Sequence, residues 1–110
     1  MQLCHIDTIP DGDSKELRAA NHSLIAVRQQ QQVYVYLNRC PHRGIPLEWQ
    51  PDRFLDLERR FIQCSTHGAL FRIDTGLCIQ GPCNGQALTL LTTHLDAEGY
   101  LHLDSALPAN

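Results

Sequence analysis

Two short stretches govern what this chain can fold into: Cys40-Pro41-His42-Arg43-Gly44 and Cys64-Ser65-Thr66-His67-Gly68. Each carries one thiol and one imidazole a residue or two apart, followed by a glycine, and 21 residues separate His42 from Cys64. Thiolates and imidazoles are the donors that select transition metals. If the two pairs complete one four-ligand site, the fold must bring two separate loops to the same place. Spacing alone leaves two readings open. A structural zinc site can draw two cysteines and two histidines from two loops. A dinuclear iron site uses the same set, with both cysteines on one iron and both histidines on the other, and delivery of one of each by both loops suits it.

The chain on either side of these stretches reads as strands. Leu3 to Ile6 is a short apolar run ended by the turn formers of Ile9-Pro10-Asp11-Gly12-Asp13, and Ser14 to Ala20 fits an exposed edge strand. Leu24 to Val27 and Val33 to Leu37 are the clearest strands, joined by a hairpin loop over Gln29 to Gln32. In the second, Val33, Val35 and Leu37 share one face and Tyr34 and Tyr36 the other. From Asn38 to Pro82 the alternation gives way to Cys, His, Gly and Pro, with strands expected over Arg60–Cys64 and Ala69–Ile73 and a turn at Asp74-Thr75-Gly76. Beyond it, Ala87–Leu91 and Tyr100–Leu103 flank Asp96-Ala97-Glu98-Gly99, a hairpin turn signal, and Ser105 to Asn110 is expected to fray. No segment sustains a helical stripe; Asp52 to Arg60 is ambiguous, and its Leu55 and Leu57 fit extended chain. The reading is an antiparallel β base built from the two chain ends, with a small metal-binding subdomain inserted between them.

Composition narrows the class. With 110 residues the chain suits one domain with an ordinary core, and 43% apolar residues with a net charge of -3 describe a globular protein. That charge speaks against a general nucleic-acid binder. Between Arg39 and Arg72, however, six arginines face four acids, a mildly basic zone that would favour an acidic partner surface. The N-terminus lacks the pattern of a secretory signal and no run reaches the roughly 18 apolar residues of a membrane span, so cytoplasmic residence without membrane attachment is expected. Five cysteines in a reducing compartment read as ligands or buried thiols rather than a disulfide framework.

Cys40-Pro41-His42-Arg43-Gly44, Cys64-Ser65-Thr66-His67-Gly68-Ala69-Leu70-Phe71, Thr75-Gly76-Leu77-Cys78 and Gly81-Pro82-Cys83 resemble, in order, the ligand loops, hairpin turn and proline loop of Rieske [2Fe–2S] proteins. The resemblance is strongest to their small ferredoxins and to ferredoxin-like subunits of dioxygenase and nitrite reductase systems. It implies an all-β, Rieske-like antiparallel β-sandwich base with an inserted cluster-binding subdomain. The whole chain, 1–110, would be one Rieske domain, its base at approximately 1–37 and 84–110 and its cluster-binding subdomain at approximately 38–83. By position, Cys40 and Cys64 would hold the inner iron and His42 and His67 the outer iron of one [2Fe–2S] cluster. Two neutral imidazoles in place of two thiolates leave less negative charge on the centre and raise its potential. Pro82 would shield the cluster from water, while Gly44 and Gly68 would let backbone N–H groups approach its sulfurs.

Departures from the family's high-potential branch refine this. That branch has an extra cysteine in each ligand loop, joined as a disulfide; Ile45 and Thr66 stand here, so that bridge is excluded. It also has a serine and a tyrosine whose hydroxyls donate to the cluster, where Ala69 and Phe71 have none. The resemblance therefore implies a low-potential centre in an electron carrier without substrate chemistry of its own. It would take electrons from a reductase and pass them to a terminal oxygenase or reductase. The competing readings are a tightly bound small subunit of a multi-component enzyme such as nitrite reductase, and a structural zinc-binding interaction module. Cys78 and Cys83 read as small buried hydrophobes, with a redox role as the alternative, and Cys4 as an incidental buried thiol. Trp49 reads as packing over the subdomain or as part of a docking face, and His5, His22, His94 and His102 as strand-surface histidines.

Overall fold

In a computed structural model, residues 1–41, 46–47, 52–64, 68–83 and 85–107 are described. The strong β formers around Leu24–Val27 and Val33–Leu37 build the centre. Here β1 is Gln2–His5, β2 Ser14–Ala19, β3 His22–Gln29, β4 Gln32–Leu37 and β5 Phe61–Gln63. They are followed by β6 Leu70–Arg72, β7 Cys78–Gln80, β8 Leu90–Leu91, β9 Thr93–Leu95 and β10 Tyr100–Leu103. Three antiparallel sheets result, in the orders β2-β3-β4-β8, β1-β10-β9 and β5-β6-β7. Among the described residues the one helical piece is a 3-10 turn at Ile6–Thr8, and no helix is long and apolar enough to cross a membrane. The fold is all-β, with the two ends of the chain in one sheet and the β5-β6-β7 sheet inserted between them.

The central sheet is buried on both faces. Leu24 and Ala26 of β3 and Val35 and Leu37 of β4 pack with Leu17, Ala19, Leu91, Leu101 and Leu103. Their neighbours on the opposite face, Ile25, Val27 and Tyr36, pack with Ile62 and Phe71 of the inserted sheet and with Ile73 just beyond β6, Tyr34 leaning on the same layer. The two-residue alternation of the strands thus feeds two cores at once. Tyr36 ties its layer together: its ring is fully buried and its hydroxyl donates to the Ile73 carbonyl at 2.5 Å. Burial, with the charge of Asp74 and then Tyr34, pushes its phenol pKa well above the ordinary value. Gly76, at φ +76°, passes so close that an added Cβ would lie 2.7 Å from Tyr36 Cε1, which accounts for glycine at that turn.

Three expectations from the sequence need correction. The strand paired across the Asp96–Gly99 turn is β9, in the register Leu101↔Leu95 and Leu103↔Thr93, not Ala87–Leu91. Leu90 and Leu91 instead join the central sheet beside β4, and the chain changes sheets between Leu91 and Thr93. Cys78–Gln80 is a strand, paired with β6, where only loop and turn are expected from the sequence. Ser105 is not frayed: its backbone N–H donates to the Thr92 carbonyl and its Oγ accepts from the Thr92 N–H at 3.0 Å, while Leu107 packs on the core. The β3–β4 hairpin is where it is expected, closing through Gln29↔Gln32, and Ser14–Ala19 is the edge of its sheet.

Asp96 organises the last hairpin. Its Oδ1 accepts from the backbone N–H groups of Glu98 at 3.0 Å and Tyr100 at 2.9 Å, and His102 Nε2 donates to Oδ2 at 2.8 Å. The His102 bond first, and then the Tyr100 N–H, hold this carboxyl below the usual carboxylate range. Such a group favours the folded hairpin above its unfolded pKa of about 3.9, and the contribution is lost as pH falls through the lower folded value. In an NMR pH titration the Glu98 and Tyr100 amides should report a midpoint below about 3.9, moving up towards it in His102→Ala. Tyr36→Phe keeps the ring and strands the buried Ile73 carbonyl. It should destabilise the protein by about 1–3 kcal/mol, read as a lowered thermal midpoint.

Candidate metal centre

The first candidate loop leaves the central sheet at the end of β4. Leu37 N–H donates to the Thr89 carbonyl and Asn38 N–H to the Ser23 carbonyl, both at 3.0 Å, so the chain is anchored up to Asn38. The Asn38 side chain then does two things. Its Nδ2 donates to Ser23 Oγ at 3.0 Å, and its Oδ1 accepts from the Leu47 N–H at 2.8 Å. Leu47 is fully buried, so this amide joins the two ends of the loop that carries Cys40 and His42. Cys40, two residues into the loop, is 1% exposed.

The second loop is shorter. Cys64 directly follows β5; its N–H donates to the Ala69 carbonyl and its carbonyl accepts from the Gly68 N–H, both at 2.9 Å. These bonds continue the β5–β6 ladder past its last strand pair, Gln63↔Leu70, and fix the Cys64 backbone at the loop's base. The Cys64 side chain has no solvent exposure. A third loop follows β7. Gly81 sits at φ +111°, and a Cβ there would meet the Ala69 Cα and Cβ at 2.9 Å, so the loop passes directly over Ala69 because residue 81 has no side chain. Cys78 N–H donates to the Gln86 carbonyl at 2.8 Å and Gln86 N–H to the Cys83 carbonyl at 2.9 Å, which ties both ends of this loop to one residue.

All three loops end in the same apolar layer, where Cys40, Cys64, Cys78 and Cys83 pack with Leu47, Ala69 and Phe71. Among the described residues the buried polar side chains are Ser14 and Asn38, and none is cationic. A thiolate in such surroundings lacks a countercharge, and a bound metal ion supplies one. Two buried soft donors therefore fit an iron–sulfur group. His42 and His67 lie outside the described residues, as do Gly44, Ile45, Trp49 and Thr66, and among the described residues no third donor joins the two cysteines to make a metal site. Ala69 and Phe71 are both fully buried and bring no hydroxyl into the layer.

Cys78 and Cys83 are buried, as their sequence context suggests, and their sulfurs lie 2.8 Å apart. Burial, then the hydrogen bond with Cys78, then the charges of Cys78 and Cys40, push the Cys83 thiol up to about 12. No described cysteine is in a disulfide. His94 and His102 stack with ring centroids 5.0 Å apart and pair with Asp104 and Asp96. The Asn38 clamp escaped the sequence reading. Its one local signal is an Asn between a strand and a loop, a residue that replaces backbone hydrogen bonds; its partner Leu47 has no signature at all.

The chain belongs to the Rieske [2Fe–2S] domain family, whose model matches residues 1–97, and the group that this family holds is one [2Fe–2S] cluster. It is similar to the ferredoxin of carbazole 1,9a-dioxygenase from Nocardioides aromaticivorans IC177, at 21% identity and a TM-score of 0.74, over 92% of this chain and 93% of that one. A chain in the solved complex of reduced oxygenase and oxidized ferredoxin in carbazole 1,9a-dioxygenase is similar at 22% identity and a TM-score of 0.75, over 94% and 90%. Both likenesses are of fold. Apoptosis-inducing factor 3 of Mus musculus and Homo sapiens is 28% identical over 74 residues, which is 67% of this chain and 11% of those much longer proteins.

Asn38→Ala removes the bond that joins the loop ends and leaves the Leu47 N–H buried without that acceptor, a cost of about 1–3 kcal/mol. Cluster absorbance in the visible should decay faster on mild heating than in the parent protein. Equal decay rates would show that the clamp is dispensable.

Proposed function

We propose that this chain is a one-electron carrier, with Cys40 and Cys64 holding one iron of the cluster and His42 and His67 the other. The observation that carries the reading is the pair of fully buried thiols at the bases of two loops, in an apolar layer without a buried cation among the described residues. When bound, the [2Fe–2S] cluster supplies one-electron reduction and oxidation at iron. The protein's part is positional and electrostatic. Cys40 and Cys64 bring two thiolates and shut water out from their side, and Asn38 keeps the first loop at its width. Ala69 and Phe71 offer no donor to developing negative charge, which disfavours reduction. This supports a potential at the low end of the Rieske range, about −150 mV rather than +300 mV.

In this reading the whole chain is one domain, with a base at approximately 1–37 and 84–110 and a cluster-binding subdomain at approximately 38–83. It has no substrate chemistry of its own. A reductase would supply the electron, and a terminal oxygenase would receive it, by analogy with the similar ferredoxin found in complex with the oxygenase of carbazole 1,9a-dioxygenase. A second reading has the domain act as one part of a larger assembly, supported by relatives in which the matched stretch is 11% of the length. Free carriage predicts a monomer that is re-oxidised by a separately added oxygenase; the second reading predicts electron exchange only within a co-purifying complex.

Iron and acid-labile sulfide analysis should find two of each per chain, and dithionite-reduced protein should give a Rieske-type EPR signal. Cys40→Ser and Cys64→Ser should each abolish that signal. Colourless protein with a single zinc would overturn the reading in favour of an interaction module. Voltammetry should place the midpoint near the low end of the range; a value above roughly +100 mV would refute the argument from Ala69 and Phe71.

A further inference from the structure

Neither Cys78 nor Cys83 belongs to the ligand set, yet the fold holds their sulfurs against each other. Cys78 opens β7, where it pairs with Phe71, and Cys83 ends the loop that follows. Backbone bonds from both residues to Gln86 fix the two ends, and Gly81 turns the chain between them tightly over Ala69. The sulfurs are 2.8 Å apart, and a disulfide needs about 2.05 Å. Closure therefore asks the two sulfurs to approach by less than about 1 Å. Cys78 Sγ also donates to the Gln80 carbonyl at 3.4 Å, which directs its side chain back across the same loop. Both thiols are almost fully covered, at 2% and 1% exposure, so an oxidant reaches them only when the Gly81-Pro82 loop opens locally.

We propose that Cys78 and Cys83 form a dithiol site that a hydroperoxide oxidises to an intrachain disulfide, cross-linking the Gly81-Pro82 loop. In the first step the Cys78 sulfur attacks a peroxide oxygen. The O–O bond breaks, the thiol becomes a sulfenic acid, and water leaves with the thiol proton. In the second step the other thiol attacks that sulfur. The S–S bond forms, the S–O bond breaks, and a second water leaves. Two electrons pass from the two sulfurs to one hydrogen peroxide, which ends as two waters. A small dithiol reverses the change by returning two electrons and two protons. The consequence is local. The disulfide closes a covalent ring over Ile79–Pro82 and removes two S–H groups from the layer that also contains Cys40. The site goes beyond the electron-carrier reading and does not depend on it, because it uses no ligand.

The sequence makes the test direct. No lysine or arginine follows Arg72 in this sequence, so trypsin leaves Cys78 and Cys83 together on the peptide beginning at Ile73, while Cys4 falls on a peptide of its own. Holoprotein is treated with hydrogen peroxide in stoichiometric steps, followed by its visible absorbance, then unfolded in acid, alkylated with N-ethylmaleimide, digested and weighed. The expected product is the peptide beginning at Ile73 with neither label and lighter by two hydrogens. It appears before the cluster absorbance falls and regains both labels after dithiothreitol. Cys83→Ser should lose this product and leave a sulfenic acid on Cys78 that dimedone traps. If that variant does not fold, the mapping of the parent protein decides alone. Full labelling of both cysteines until the absorbance is lost, a disulfide that forms only after that loss, or sulfinic acid at one cysteine without the cross-link would each overturn the proposal.

Discussion

Burial of both faces of the central sheet is the constraint on which the other parts depend. A sheet with one wet face could hold the β1-β10-β9 layer or the inserted layer, but not both. Here β3 and β4 alternate so that Leu24, Ala26, Val35 and Leu37 serve one core and Ile25, Val27 and Tyr36 the other. The inserted sheet has three strands of three residues each, and its apolar face packs on the central sheet. It borrows its rigidity from the sheet beneath, through the apolar contacts of Tyr36 and through the bond from its hydroxyl to Ile73.

Rigidity at that level is what makes loops usable as ligand carriers. Each candidate loop begins within a residue or three of a strand end and is closed by hydrogen bonds at its base: Asn38 to Leu47 in the first, Cys64 to Ala69 and Gly68 in the second, Gln86 to Cys78 and Cys83 in the third. The thiols sit at these bases rather than at the tips, which explains how Cys40 and Cys64 are both covered although they belong to loops. In the proposed site, a pair of donors set so deep would meet a cofactor from the protein side.

Much of this was legible in the residues. The alternation in Val33–Leu37 is long enough to assign two faces, and the tyrosines do share the face that meets the inserted sheet. The cysteine and histidine pattern is specific because the order of motifs, not one spacing, carries it. What escaped did so for physical reasons. β7 and β9 have three residues each, too few for a period of two to show. Ala87–Leu91 is more apolar than Thr93–Leu95 and so competes as the hairpin partner, but a strand that must change sheets is chosen by register and by the Thr92–Ser105 bonds, which are invisible locally. The Asn38–Leu47 clamp and the contact between the Cys78 and Cys83 sulfurs both join positions whose nearness is a product of the fold.

The close passage of Gly81 over Ala69 has an evolutionary consequence. Position 69 is where the high-potential branch carries a hydroxyl, and here the third loop passes directly over it, with no room for a Cβ at residue 81. The two positions are thus sterically linked across loops that are separate in sequence. A lineage with this packing can add a side chain at residue 81 only if the backbone at residue 69 also moves. The contour of the third loop is thus held by a pair of positions, and a change in it runs through both.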